Sequence, residues 1–306
     1  MEANRVRPVT LPFLVVMIVK LAVVAAGIGL FYDPPAGPMI PTSVEDAAMK
    51  MYGHGIYRYD SLLIGAGFRG VDAVTLCLGV PLLVISVLLY RRESFRGALL
   101  LTGTLAYFLY NYASMALSAA YNSLFLVYIA LFSTSLFAFV MVMMSFDLAS
   151  LPRRFSPALP RREIAAYLVA VGSLLVVLWV CDVASALLAG SVPAALGSST
   201  TIVTYVLDLG VIAPGAFVAA VLLLREKPLG YLLAAMFLTM NLTLGTALLS
   251  QGVAILQAGV RMSLPQIAGM IGSFALLTAI GARLTFVLFR DGVPHLAPAA
   301  DLRPAA

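Results

Sequence analysis

The 306 residues are 62% hydrophobic and 11% charged, with a mean hydropathy of +1.01, whereas soluble domains average about 45–50% apolar and about 25% charged residues. A water-soluble fold has nowhere to hide that much apolar surface. Stretches of membrane-spanning length, about 17–25 residues each, consume nearly the whole chain and leave no room for a separate soluble catalytic domain. The net charge of +5 does not point to nucleic acid as a partner, because the basic residues lie in short segments between apolar runs.

The first apolar run, 9–31, follows Arg5 and Arg7. It is longer than the apolar core of a signal peptide and lacks a clear small-residue cleavage site, so it reads as a retained first helix. Segment 32–70 is the longest connection. It opens with Pro34, Pro35, Pro38 and Pro41 and continues as VEDAAMKMYGHGIYRYDSLL. The second part is expected to form a short interfacial helix with Tyr52, Tyr57 and Tyr59 at the headgroup level. Further runs follow at 71–90, 97–120, 123–146, 164–187, 201–224, 229–251 and 266–289. The tail after Arg290, rich in Pro and Ala, has the composition of a disordered segment. The fold class is therefore all-α: a polytopic transmembrane helix bundle of about eight spans.

Basic residues orient the bundle. With the N-terminus in the cytoplasm, the cytoplasmic segments hold thirteen Lys and Arg residues, and the opposite segments hold only Lys50, Arg58, Arg69 and Arg261. Positive charge resists translocation, so the bias predicts a cell-membrane protein with both termini on the cytoplasmic side.

The second half of the chain aligns with the first at an offset of 133 residues. Pro81, Leu89, Arg92, Glu93, Gly97, Leu99 and Leu100 fall over Pro214, Leu222, Arg225, Glu226, Gly230, Leu232 and Leu233 without gaps. Hydrophobicity alone does not explain a shared proline and a shared Arg-Glu. The expected organisation is a first four-helix half, 1–163, including the external loop 32–70, then a second half, 164–290, and a cytoplasmic tail, 291–306. Four crossings per half give a parallel repeat about an axis along the membrane normal, an arrangement that places substrate sites between halves. Pro81 and Pro214 free backbone carbonyls one turn earlier and are expected to act as helix hinges.

Ionisable groups inside a bilayer are costly, about 2.5–3.5 kcal/mol at mid-span on insertion scales, and so are candidates for function. Lys20, Asp72, Asp182, Asp208 and Arg283 qualify. At about 1.5 Å rise per residue, the three aspartates lie at nearly one level, about 26–28 Å from the inner surface. They are expected to form an outward-facing acidic vestibule. Lys20, about 20 Å deep, is expected to pair with Asp208 and so neutralise two charges in hydrocarbon. Arg283, close to Arg290, is expected to snorkel to the interface.

Weaker candidates are the polar residues of the third and seventh runs, chief among them Asn111 and Asn241, which are suited to interhelical hydrogen bonds or a polar pocket. Cys77 and Cys181 read as small buried hydrophobes. His54 and His295 have no metal-ligand neighbours at helical spacing, and phosphate-loop, nucleophile-elbow and His-Glu-x-x-His motifs do not occur. No catalytic residue, metal or cofactor is expected. The partners expected are the lipid bilayer, a small solute or ion, and a membrane protein partner.

The leading functional expectation is a secondary transporter or channel-like carrier for a small solute or ion, using buried Asp and Lys groups. The alternative is a sensor, assembly or accessory subunit that binds a partner through loop 32–70. Third is an intramembrane lipid-modifying enzyme with an interfacial site at His54, Tyr57, Arg58 and Asp60.

Overall fold

The computed structural model describes residues 10–34, 51–196, 199–260, 263–264 and 267–292. The proline-rich start of loop 32–70 and nearly all of the tail lie outside the described residues. Seven helices are long and apolar enough to cross a membrane: α1 (Thr10–Phe31), α2 (Leu62–Arg91), α4 (Phe125–Met144), α5 (Arg161–Leu188), α6 (Val203–Leu224), α7 (Pro228–Gln257) and α8 (Ile267–Arg290). An eighth helix, α3 (Phe95–Ser118), has the length to cross but a more polar sequence. The chain is a multi-pass helical membrane protein.

The polarity of α3 follows from its position. It packs against α2, α4 and α7 in the middle of the bundle, and its Thr102, Thr104, Tyr107, Asn111, Tyr112 and Ser114 are all buried. An inner helix exchanges lipid contact for contact with other helices, where polar side chains find partners. Helix α7 is its counterpart, with 67% of its most apolar window buried against 22–39% for the other apolar helices. The two meet closely at Gly103, where an added Cβ would lie 2.8 Å from the Met236 carbonyl oxygen.

Both proline-containing helices have the same internal build. In α2, Thr75–Gly79 is π-helical and the α-helix resumes at Val80. In α6, the π segment is Asp208–Ile212 and the α-helix resumes at Ala213. Proline has no N–H and its ring crowds the carbonyl four residues back. The wider π turn just before Pro81 and before Pro214 accommodates that ring without breaking the helix. Both helices then end alike. Glu93 (φ 62°) and Glu226 (φ 53°) are left-handed. Beyond each of them one backbone N–H bonds back to the third-last helical carbonyl, Ser94 to Leu89 at 3.1 Å and Lys227 to Leu222 at 2.9 Å. This is the six-to-one bond of a Schellman cap, with Glu where Gly is usual. The following Gly97 and Gly230 pack on the backbones at Leu89–Tyr90 and Leu222–Leu223 too closely for a side chain.

Three expectations about the elements change. Helix α2 begins at Leu62 and not near residue 71, because Arg69 is held inside the structure, donating to the Leu30 carbonyl (2.9 Å) and the Tyr52 hydroxyl (3.1 Å). The described part of the expected interfacial helix, 51–61, is an irregular turn closed by a single antiparallel bridge, Met51 to Ser61. It folds down on the bundle, so Tyr52 and Tyr57 are buried and only Tyr59 is exposed. Cys77 and Cys181 are free and exposed on the outside of the bundle, not buried.

Candidate functional site

The structure sets Asp72 apart from Asp182 and Asp208, which share one aromatic network, so a single vestibule of three aspartates is not formed. Asp72, on α2, is fully buried, and its Oδ2 accepts a 2.6 Å hydrogen bond from the Tyr57 hydroxyl. Gly29 of α1 makes room for this pair, since a Cβ there would collide with both the Asp72 carboxylate and the Tyr57 hydroxyl. Among the described residues the other oxygen, Oδ1, has no partner. The buried hydroxyls of Tyr112 and Tyr128 belong to the same packed region, that of Tyr128 beside Tyr57 and Asn122. One turn along α2, Thr75 shares a 2.8 Å bond with the Tyr107 hydroxyl of α3.

Below Tyr57 the same packed region holds Asp60, 3% exposed, whose Oδ1 accepts from the Ala120 N–H at 2.8 Å and pins loop 51–61 to the α3–α4 turn. Burial pushes this carboxyl up to about 6, the Ala120 N–H acting in the opposite direction. Burial first, then the neighbouring Asp72 charge, hold the Tyr57 phenol well above its usual value. It therefore remains a proton donor at physiological pH.

Asp208 is placed differently. It is the first residue of the π segment in α6, and it is buried. Its Oδ1 accepts from the Tyr110 hydroxyl of α3 at 2.8 Å and its Oδ2 from the Trp179 indole N–H of α5 at 2.8 Å. In front of it lies a half-open cavity of ≈ 170 Å³, lined among others by Asp208, Tyr110, Trp179, Tyr167, Asn241 and Thr278. The walls come from α3 and from the four helices of the second half, α5 to α8. Asn241 of α7 brings a buried amide to the cavity beside the Tyr167 hydroxyl. Asp182 reaches this network from outside: Tyr205 donates to its Oδ2 at 2.7 Å and stacks on Trp179, ring centroids 4.3 Å apart.

The expected Lys20–Asp208 pair is not formed. Lys20 lies on an exposed face of α1 with Phe13, Val16, Val23 and Val24, and α1 packs on α2 and α4 in the other half. Among the described residues Asp208 has no ion-pair partner. Arg283 forms an exposed pair with Glu163 of α5 at 3.1 Å. Asn111 is buried on α3 with an unpartnered Nδ2, but it does not line the cavity. His54 does not converge with Tyr57, Arg58 and Asp60. It stacks on Tyr52 (4.1 Å between ring centroids), near Asp33, while Tyr57 and Asp60 are buried. Among the described residues no group of three or more His, Cys, Asp or Glu side chains could hold a metal ion.

No protein-family model, curated protein or solved structure matches the chain.

Sequence reasoning identified Asp208 and Asn241 but passed over Trp179, the only tryptophan of the chain. The available signal was its spacing: it precedes Asp182 by three residues on one helix, which puts both on one face.

Proposed function

We propose that the chain is a carrier for a small solute or ion, and that the solute occupies the Asp208 cavity. The observation that carries this reading is the cavity itself: a buried carboxylate with no ion-pair partner among the described residues, facing open space lined by aromatic and apolar side chains. A purely structural bundle gains nothing from such an arrangement, since a buried charge without a counter-charge is destabilising. Internal duplication also supports it. The π segments, Schellman caps and close glycines recur at the offset of 133 residues, and the neighbour order α2–α3–α4 recurs as α6–α7–α8. Two halves related in this way, with α3 and α7 between them, provide the pseudo-symmetric frame on which alternating access is built. The π turns before Pro81 and Pro214 are natural hinges for it. The basic bias puts Arg91, Arg225 and both termini on the cytoplasmic side of a cell membrane.

The test is access from both faces. Thr278→Cys, in a background with Cys77 and Cys181 replaced by Ser, is to be treated with a small membrane-impermeant thiol reagent in right-side-out and in inverted vesicles. A carrier is labelled in both orientations. Labelling from one face only removes the carrier reading and leaves a receptor.

One observation favours a second reading, an accessory subunit. Lys20 in the middle of an apolar exposed stripe calls for a carboxylate from outside the chain. Co-purification of a second polypeptide that is lost in Lys20→Leu would support it.

A further inference from the structure

We infer that the Asp208 cavity takes a small organic cation, a protonated amine with an apolar body. This rests on the carrier reading above and names its substrate class. Three features of the cavity lead to it. The first is charge. Asp208 is buried and has no cationic partner among the described residues, Lys20 being on another face of the bundle. A buried carboxylate of this kind is stabilised by a cation brought to it, since one charge alone in a low-dielectric site is what makes burial expensive.

The second feature is the state of the carboxylate. Each oxygen accepts one hydrogen bond, and the indole N–H of Trp179 can only donate. Oδ2 is therefore fixed as an acceptor, and both oxygens keep lone-pair positions for an ammonium group. The site is pre-organised for the anionic form, in contrast to Asp72, whose Oδ1 is orphaned in tightly packed surroundings.

The third feature is the wall. Tyr110, Tyr167, Trp179 and Phe274 bring four aromatic rings to one cavity, and aromatic rings attract cations through their quadrupoles, more strongly when water is excluded. The remaining lining is mainly Leu, Ile and Val. It suits the hydrocarbon part of an amine and excludes a hydrated metal ion, which requires several oxygen ligands. A volume of ≈ 170 Å³ compares with the engineered apolar cavity of about 150 Å³ that holds benzene, so a body of one six-membered ring fits.

Trp179 makes the test direct, because as the only tryptophan of the chain it reports the cavity by its own fluorescence. The full-length protein in detergent is titrated with cyclohexylammonium and, separately, with neutral cyclohexanol. The expected result is a saturable change in Trp179 emission with cyclohexylammonium and none with cyclohexanol over the same range. Asp208→Asn is expected to weaken the ammonium response by about tenfold or more. Leu248→Phe, which fills the cavity and leaves the carboxylate and Trp179 in place, is expected to weaken it as well. The second variant keeps the inference falsifiable if Asp208→Asn does not fold. Equal responses to the two compounds, an absent response to cyclohexylammonium, or undiminished binding in Leu248→Phe would each overturn it. Ammonium-selective binding with one-sided thiol access would leave the ligand class standing and remove the carrier. Two-sided access with equal responses would remove the ligand class alone.

Discussion

Asp72 and Asp208 stand beside corresponding π turns, three residues before one and at the start of the other, yet their surroundings are opposite. Asp72 has one partner, Tyr57, no exposed surface, and a glycine of α1 pressed against its carboxylate. Asp208 has two donors on two different helices and open space in front. A sealed carboxylate gains from rigidity, because its partner cannot be replaced by water. A carboxylate on a cavity keeps the capacity to exchange partners, which binding and release require. On the carrier proposal, this difference makes the first half the braced half and the second the half that would receive the solute. At the offset of 133 residues the position of Asp208 is occupied by Thr75, whose hydroxyl bonds to Tyr107, so the charge at the π turn is found in the second half alone.

The largest effect that would break this comparison is expected at Gly29. Gly29→Leu places a side chain on Asp72 and Tyr57 and should destabilise the detergent-solubilised protein by about 3 kcal/mol or more, seen as a large drop in Tm. A wild-type Tm would show that the region is not sealed.

Asp60 comes next. Its folded-state value, about 6, lies above the ordinary 3.8, so the folded protein holds that proton more tightly than the unfolded chain does. The stability it lends is full below about pH 4 and is lost as pH rises through 6, an order-of-magnitude loss of about 3 kcal/mol. Thermal melts from pH 4 to 7 should show wild type losing stability relative to Asp60→Asn, and parallel curves would contradict the assigned burial.

Removing single hydroxyls sharpens the contrast. Tyr57→Phe leaves Asp72 with no partner and should lower stability by about 2 kcal/mol. Tyr110→Phe leaves Asp208 with Trp179 and a cavity, and should lower it by about 0.6 kcal/mol, the average for an interhelical bond in a membrane. Equal losses in chemical or thermal unfolding would erase the distinction. A comparably small effect is expected of Leu248→Phe, which enlarges a side chain where space exists and should change stability by less than about 1 kcal/mol.

The sequence disclosed what depends on order along the chain and concealed what depends on direction around a helix. Pro81 with Glu93, and Pro214 with Glu226, were legible as a pair because the π turn and the Schellman cap are local, made by neighbouring residues. Helix α3 was legible as a span despite Thr102, Tyr107 and Asn111, although its central place was not, since polarity alone does not say which partners lie opposite. Lys20 illustrates the limit. Its depth along α1 matched that of Asp208 well enough to suggest a pair, but Phe13, Val16, Val23 and Val24 on its exposed face are as apolar as the buried Leu11, Val15 and Ile18. Hydrophobicity therefore could not tell the lipid side of α1 from the protein side. Trp179 was hidden for the same reason, because its hydrogen bond to Asp208 spans two helices and 29 residues. Arg69 displaced the start of α2 because a charge reads as a loop signal until its partners, Leu30 and Tyr52, are known.

The most direct measurement is carboxyl labelling by a nonpolar carbodiimide, which enters through the bilayer, followed by peptide mapping of the intact protein in vesicles, with and without cyclohexylammonium. An open Asp208 and a sealed Asp72 predict that Asp208 is modified, that cyclohexylammonium protects it, and that Asp72 remains unmodified over the same period. Modification of Asp72 at an equal or greater rate, or an Asp208 that does not react, would contradict the account.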